Sequence, residues 1–525
     1  MNLGAFGKMV FAVNFTMATF WIAFLLWSVS GAALGQAPSV DNPRGLIGRL
    51  HEILARSESS NANWGIQIVS LSSGRTWFET NSHRLFVPAS SAKLFTTALA
   101  LNRLGAEFRV QTSFLAQMPP NQEGVLAGDL IVFGRGDPSI RSGDAGPGTK
   151  STLSALAKDI LNSGVRRIRG DLVCDTSYFR EPPYGPGWDW DDLVEGYAAG
   201  ATALSLDDSS VRLRIRPGQN PGSAATLLLT PSIPTLMVLQ GTVMTVSTND
   251  RTRIHYARLP GQTQLRVRGM IGVGSAEWSD EVSVPAPVRY FGELLLMELQ
   301  KIGVVVDGNV RTVDWLEREA IGDLDATWRE LGTYGSEPLG DLLPRMMKPS
   351  NNVQAQLLWL LCGAESESKN PVPGALRVVG QTTSDASRRL LTEFLTATGI
   401  PAGEVQLLEG SGLARANLVT PAAFVQLLRY MNQHRSAQAW HRAFPVGGRD
   451  GTLRTRFTQP PAKDNVWAKT GSLRNVHSLC GYVTSADGER FAFAILRNQV
   501  LASAGIARAE IDSMVTAIAG ARTRE

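Results

Sequence analysis

Three cysteines in 525 residues are too few for a disulfide framework, and none stands in a C-x-x-C pair. Six histidines show neither H-E-x-x-H nor any paired ligand spacing, so no metal and no cofactor is predicted. Charge of one sign is also lacking. Lys+Arg number 51 against 47 Asp+Glu, a net charge of +4 spread along the chain. That gives no basic patch for nucleic acid. No repeat long enough for a solenoid is present. Hydrophobic residues make up 43% and charged residues 19%, which excludes a disordered chain, a fibrous repeat and a multi-span membrane protein. At roughly 100–200 residues per domain, three or four domains are expected.

Residues 1–35 stand apart. They carry one charge, Lys8, and Val10–Leu34 is almost wholly apolar. Ala33-Leu34-Gly35 places small residues where a signal peptidase would cut. The run is also long enough to span a bilayer. A cleaved signal peptide and an uncleaved N-terminal anchor both fit, and both put the remainder outside the cytoplasm. In such a compartment the thiols could oxidise, yet Cys174, Cys362 and Cys480 each lie among apolar neighbours and read as three buried, unpaired thiols.

Trp64, Ile66 and Ile68 alternate as a half-buried strand should, and Thr76–Glu79 can return beside them. Leu94, Ala98 and Leu101 then recur at helical spacing, so a helix begins near Ser90, a plausible cap. From about 108 to 285 the texture is mainly β, with one helix near Leu153–Leu161. Gly128-Asp-Leu-Ile-Val-Phe and Gly170-Asp-Leu-Val-Cys-Asp read as two similar strands. Helices return at Val288–Ile302, Val353–Leu361, Ser387–Thr398 and Pro421–Met431. Strands at Leu479–Thr484 and Phe491–Leu496 and a helix near Ile506–Ile518 close the chain. The expected division is 1–35, 36–107 (first part of the main domain), 108–285 (β-rich insert) and 286–525 (second part).

A serine needs a base to become a nucleophile, and a lysine one helical turn later can serve. Ser90-Ser91-Ala92-Lys93 has that spacing at a helix start, where developing negative charge is favoured. Ser366-Glu-Ser-Lys369 has it too, but sits in a polar run read as a loop. Two further patterns complete a serine-acylating site, S-x-N and K-T-G. Of four S-x-N matches, Ser350-Asn351-Asn352 alone directly precedes an apolar helix. Lys469-Thr470-Gly471 is the single Lys-Thr-Gly, and its glycine would let a substrate backbone approach. Taken singly, these read better as a cap, a turn and a strand end. In this order and in these contexts they are improbable by chance.

Carried by these residues, the chain resembles the class C low-molecular-mass penicillin-binding proteins, the D-alanyl-D-alanine carboxypeptidase/endopeptidase family. Phe86-Val-Pro-Ala-Ser-Ser-Ala-Lys93, Lys348-Pro-Ser-Asn-Asn352 and Lys469-Thr-Gly-Ser472 match its three motifs. Gly410-Ser-Gly-Leu-Ala-Arg415 and Asp450-Gly-Thr-Leu-Arg454 are similar to its later signatures. The resemblance implies an α/β (α+β) catalytic domain, an antiparallel sheet flanked by helices, interrupted by a large mainly-β insert between the first two motifs. It implies acyl transfer: Ser90 as nucleophile, Lys93 as base, Ser350 as proton relay, Asn352 holding Lys93 and the substrate amide, and Lys469 with Thr470 on the substrate carboxylate. Gly471 would admit the substrate backbone, and the N–H groups of Ser90 and Ser472 would form the oxyanion hole. The implied partners are peptidoglycan stem peptides and β-lactams. In the family an insert aspartate and aromatic, an arginine after S-G-L and a residue after K-T-G line the stem-peptide subsite. The matching positions are Asp175, Phe179, Arg415 and Arg474, the last a departure from an expected neutral residue.

Asp189, Asp191, Asp192 and Glu195 lack an EF-hand spacing and read as a solvated turn. Trp188 and Trp190 are expected to pack the insert. A β-lactamase and a non-catalytic scaffold remain as alternatives to the peptidase. The large insert and the lack of a dedicated deacylation base count against the first, and three intact motifs against the second.

Overall fold

The structure is a computed structural model and describes residues 45–56, 62–143, 151–248, 251–322, 324, 327–369 and 381–522. The apolar N-terminal run lies outside the described residues. Among these residues no helix is long and apolar enough to cross a membrane.

An antiparallel sheet carries the main domain, in the order Trp467–Leu473, Val476–Thr484, Arg490–Asn498, Asn63–Ser70, Thr76–Thr80. Its central strand, Arg490–Asn498, is buried on both faces, which explains its unbroken apolar reading. Side chains alternate across a strand. Phe491, Phe493 and Ile495 therefore join one core with the terminal helices Leu46–Ala55 and Ala504–Ala519. Ala492, Ala494 and Leu496 join the other, beneath the helices Lys93–Arg103, Asn352–Lys369 and Pro421–Asn432. Strands from before and after the insert thus complete one sheet, and the insert leaves from between its parts.

The insert is built on a second five-stranded sheet. The two similar segments seen in the sequence, Leu130–Phe133 and Leu172–Asp175, pair in parallel with Leu130 opposite Leu172. Val310–Val313 adds to them in parallel, and Gln111–Ala116 with Arg329–Gly335 close the other edge. Three three-stranded sheets and a two-stranded one complete the β content of the described residues. The expected boundary at 285 is thus about fifty residues early: strand pairing runs on to Gly335. The helix Pro287–Lys301 also packs on the insert, since Tyr290, Phe291, Leu295 and Leu299 lie in its core with Leu130 and Leu172. Helical periodicity marked that helix correctly but says nothing about which core its apolar face joins. A second correction concerns Ser366–Lys369, which is the end of the helix Asn352–Lys369 and not a loop. Trp190 is a third, 68% exposed rather than packed.

Candidate active site

Ser90 lies in a 3-10 turn, Ala89–Ala92, that runs straight into the helix Lys93–Arg103. It does not cap that helix. Its Oγ instead accepts from Lys93 Nζ at 2.9 Å, because three residues bring two side chains to one face. The turn is tight. Ala89 has a left-handed φ of 48°, and a Cβ on Gly412 would come within 2.0 Å of the Ala89 carbonyl oxygen. Only glycine, at φ +85°, lets the Ser411–Leu413 loop press this closely on the Ser90 turn.

Lys93 is fully buried. Its ammonium position donates to Asn352 Oδ1 at 2.6 Å and to the Ser411 carbonyl at 2.6 Å, besides Ser90. Burial lowers its pKa from 10.5 to about 7, against the opposing pull of the Glu409 carboxylate. Glu409 is itself buried. It accepts from the backbone N–H groups of Ser411 and Gly412, each at 2.7 Å, and from Asn417 Nδ2 at 2.7 Å. It therefore both shapes the Ser411 loop and sets the local field at Lys93. Nothing in its spacing singled it out, although Leu408-Glu409-Gly410 places an acid inside an otherwise apolar stretch.

Lys469, on the edge strand Trp467–Leu473, is also buried and donates to Ser350 Oγ at 2.8 Å and to the Thr470 carbonyl at 2.9 Å. Burial first, and then the nearby Lys93 charge, drive its pKa well below the usual lysine value. Asn352 opens its helix and donates through Nδ2 to the Tyr197 carbonyl of the insert at 3.0 Å. Thr470 Oγ1 donates to Thr452 Oγ1 at 2.9 Å. Gly471 is packed so closely that a Cβ would meet Ser478 Oγ at 2.2 Å and the Pro88 carbonyl at 2.5 Å. The three motifs, separated by hundreds of residues, thus meet around one pair of lysines and two serines.

A cavity of about 600 Å³ opens over them. Ser90, Ser350, Asn352 and Ser472 line it, together with Arg415, Arg474, Asp189, Asp191, Asp192 and Tyr197. Arg415 donates to the Arg474 carbonyl at 3.1 Å and lies 3.7 Å from the Asp189 carboxylate. Two expected subsite residues are elsewhere. Asp175 is fully buried in an ion pair with Arg318 Nη2, and Arg318 Nε also donates to it at 3.0 Å. Phe179 is buried in the core shared with the helices Lys93–Arg103 and Asn352–Lys369. Neither lines the cavity; a carboxylate held in a buried pair has no face left for a ligand. The acidic residues that do line it are those read as a solvated turn, and the aromatic is Tyr197, whose hydroxyl donates to Asp192 at 2.7 Å. All three cysteines are buried and unpaired, their thiols pushed up to about 12 by desolvation.

Residues 46–520 match the model of the D-Ala-D-Ala carboxypeptidase 3 (S13) family. The chain is 28% identical over 446 residues to the D-alanyl-D-alanine carboxypeptidase DacB of Haemophilus influenzae, covering 84% of this chain and 86% of that one. It is 29% identical over 484 residues to the D-alanyl-D-alanine carboxypeptidase of Actinomadura sp. strain R39, covering 89% and 84%. The crystal structure of penicillin binding protein 4 (dacB) from H. influenzae superposes with a TM-score of 0.74 at 26% identity, over 89% of this chain and 97% of that one.

Proposed function

Since the chain belongs to the D-Ala-D-Ala carboxypeptidase 3 (S13) family, a family of serine-type peptidases, we propose that Ser90 is its nucleophile and that the other motif residues divide the proton work. Neutral Lys93 takes the Ser90 proton as Oγ bonds to the carbonyl carbon of the penultimate D-alanine. The N–H groups of Ser90 and Ser472 receive the oxyanion. As the C–N bond breaks, the proton passes through Ser350 to the leaving amine of the terminal D-alanine. Water then adds to the Ser90 ester by the reverse path and releases the shortened peptide. Lys469 and Thr470 hold the terminal carboxylate, a charge-assisted contact. The observation that carries this reading is Lys93: fully buried, 2.9 Å from Ser90 Oγ, with a pKa near 7.

The cavity walls extend the reading to the stem peptide. Arg415 and Arg474 suit a carboxylate, and Asp189, Asp191 and Asp192 suit an ammonium. A diamino acid carrying both at the end of its side chain, as diaminopimelate does, would be oriented between them. The same cavity would admit a cross-linked stem, so endopeptidase action accompanies carboxypeptidase action, and β-lactams would acylate Ser90. The insert spans about 108–336 between the two parts of the catalytic domain. Residues 1–35 direct export to the periplasm, with or without cleavage. N-terminal sequencing of the fractionated protein distinguishes the two forms.

The direct test combines fluorescent penicillin labelling with D-alanine release from a stem pentapeptide. Both are expected of the wild type, and neither of Ser90→Ala. Labelling that survives Ser90→Ala removes the nucleophile assignment. Rapid β-lactam turnover without peptide release would identify a β-lactamase, and no labelling at all a scaffold. For the subsite, Arg474→Gln is expected to reduce preference for diaminopimelate over lysine stems; an unchanged ratio removes Arg474 from it.

A further inference from the structure

Ser350 holds a left-handed φ of 68°, which a non-glycine residue keeps only where its surroundings over-determine it. Part of that constraint is local: Asn351 Oδ1 accepts from the Gln354 N–H at 2.9 Å and so caps the motif helix. The other end of the same amide leaves the catalytic part. Asn351 Nδ2 donates to Asp208 Oδ2 of the insert at 2.8 Å, and Gln354 Nε2 donates to Asp208 Oδ1 at 3.0 Å. One carboxylate therefore takes the side-chain amides from both sides of Asn352.

The turn that presents this carboxylate is itself unusual. Asp207, Asp208 and Ser209 are consecutive non-glycine residues with φ of 51°, 54° and 55°, a conformation L-residues adopt at a cost. Each member is held. The Asp207 carboxylate accepts from the Ser142 N–H at 3.0 Å and from the Tyr290 hydroxyl at 3.2 Å, which roots the turn in the insert core. Arg141 Nη2 donates to both Asp208 oxygens, at 3.0 and 3.1 Å, while its Nη1 donates to the Ile140 carbonyl at 2.9 Å. Asp208 is thus fixed from behind by a guanidinium and aimed at the S-x-N loop, outside all three motifs.

We propose that Asp208 is a positioning residue for the reaction. Through Asn351 and Gln354 it holds Ser350 at hydrogen-bond distance from Lys469 and Asn352 at hydrogen-bond distance from Lys93. The insert then completes the proton-transfer geometry as well as walling the cavity. The inference rests on the reading of Ser350 and Asn352 as groups that serve proton transfer, and Asp208 itself touches neither substrate nor reacting atoms.

A side-chain exchange tests it, with saturating kinetics of penicillin acylation separating the pre-acylation dissociation constant from the acylation rate constant. Asn351→Asp keeps the helix cap but opposes two carboxylates. It is expected to lower the acylation rate constant about tenfold, with the dissociation constant changed by less than about twofold. Asp208→Asn alone is expected to lower it several-fold. The double variant Asp208→Asn/Asn351→Asp restores an amide–carboxylate pair with reversed polarity, and should return the rate to within about threefold of wild type. A double variant as slow as the product of its singles, or an Asn351→Asp enzyme that acylates at the wild-type rate, overturns the proposal. So does a loss seen only in the melting temperature or in the dissociation constant. Ser350→Ala, measured alongside, separates the two claims. If it slows acylation while the exchange set does not behave as stated, the proposal about Asp208 alone falls. If it does not, the reading of the S-x-N motif falls first.

Discussion

At the scale of single residues, two buried charges decide the chemistry. Lys93 can act as a base only when neutral, and with a pKa lowered to about 7 it is half neutral near physiological pH. The second-order rate of acylation should therefore rise with pH along a limb centred near 7. Glu409 opposes the shift by favouring the charged amine. Glu409→Gln removes that pull, so the limb should move to lower pH. It should also destabilise the fold by about 2 kcal/mol, since the amide cannot satisfy the same set of donors. A limb that moves upward contradicts this electrostatic account. Asp175 offers the complementary case. Breaking its buried pair with Arg318 by Asp175→Ala should cost about 3–5 kcal/mol in a denaturant titration. Because Asp175 does not line the cavity, the ratio of rates on diaminopimelate and lysine stems should stay unchanged.

At the scale of elements, the site depends on close approach between pieces that are distant in sequence. The Ser90 turn is gripped between the Ser411–Leu413 loop and the edge strand Trp467–Leu473. Gly412 and Gly471 make that approach possible. Gly412→Ala would drive a methyl into the Ala89 carbonyl at a φ of +85°. It should cost about 2–3 kcal/mol of stability and reduce acylation more than tenfold, measured by thermal melting and penicillin labelling. Retention of wild-type labelling would mean the loop can retreat without disturbing Ser90.

At the scale of the whole molecule, the insert and the catalytic part share more than a boundary. Phe179, Ala199, Ala201 and Ala203 of the insert are buried in the same core as Trp359 and Phe424. Asp208 and the Tyr197 carbonyl bond to residues of the S-x-N loop and its helix. Unfolding should therefore be a single cooperative transition, with calorimetric and van't Hoff enthalpies in agreement. Two resolved transitions would show that the insert unfolds on its own.

The linear order of residues determined the main outline. Period-two and period-3.6 patterns marked the strand at Trp64, the helix after Ser90 and the closing strands and helix. Helical spacing put Ser90 beside Lys93, and the three motifs named the reaction. These signals are local: each depends on side chains a few positions apart. What the sequence could not determine was set by contacts between distant segments. Tertiary packing assigned the helix Pro287–Lys301 to the insert core and buried Asp175 and Phe179. It brought Asp189, Asp191, Asp192 and Tyr197 to the cavity wall. It also placed Glu409 near Lys93 and Asp208 against Asn351. An exposed aspartate, a paired aspartate and an aspartate that positions a catalytic loop look alike in sequence. Only the partners that folding brings within 3 Å, and the water it removes, make them different.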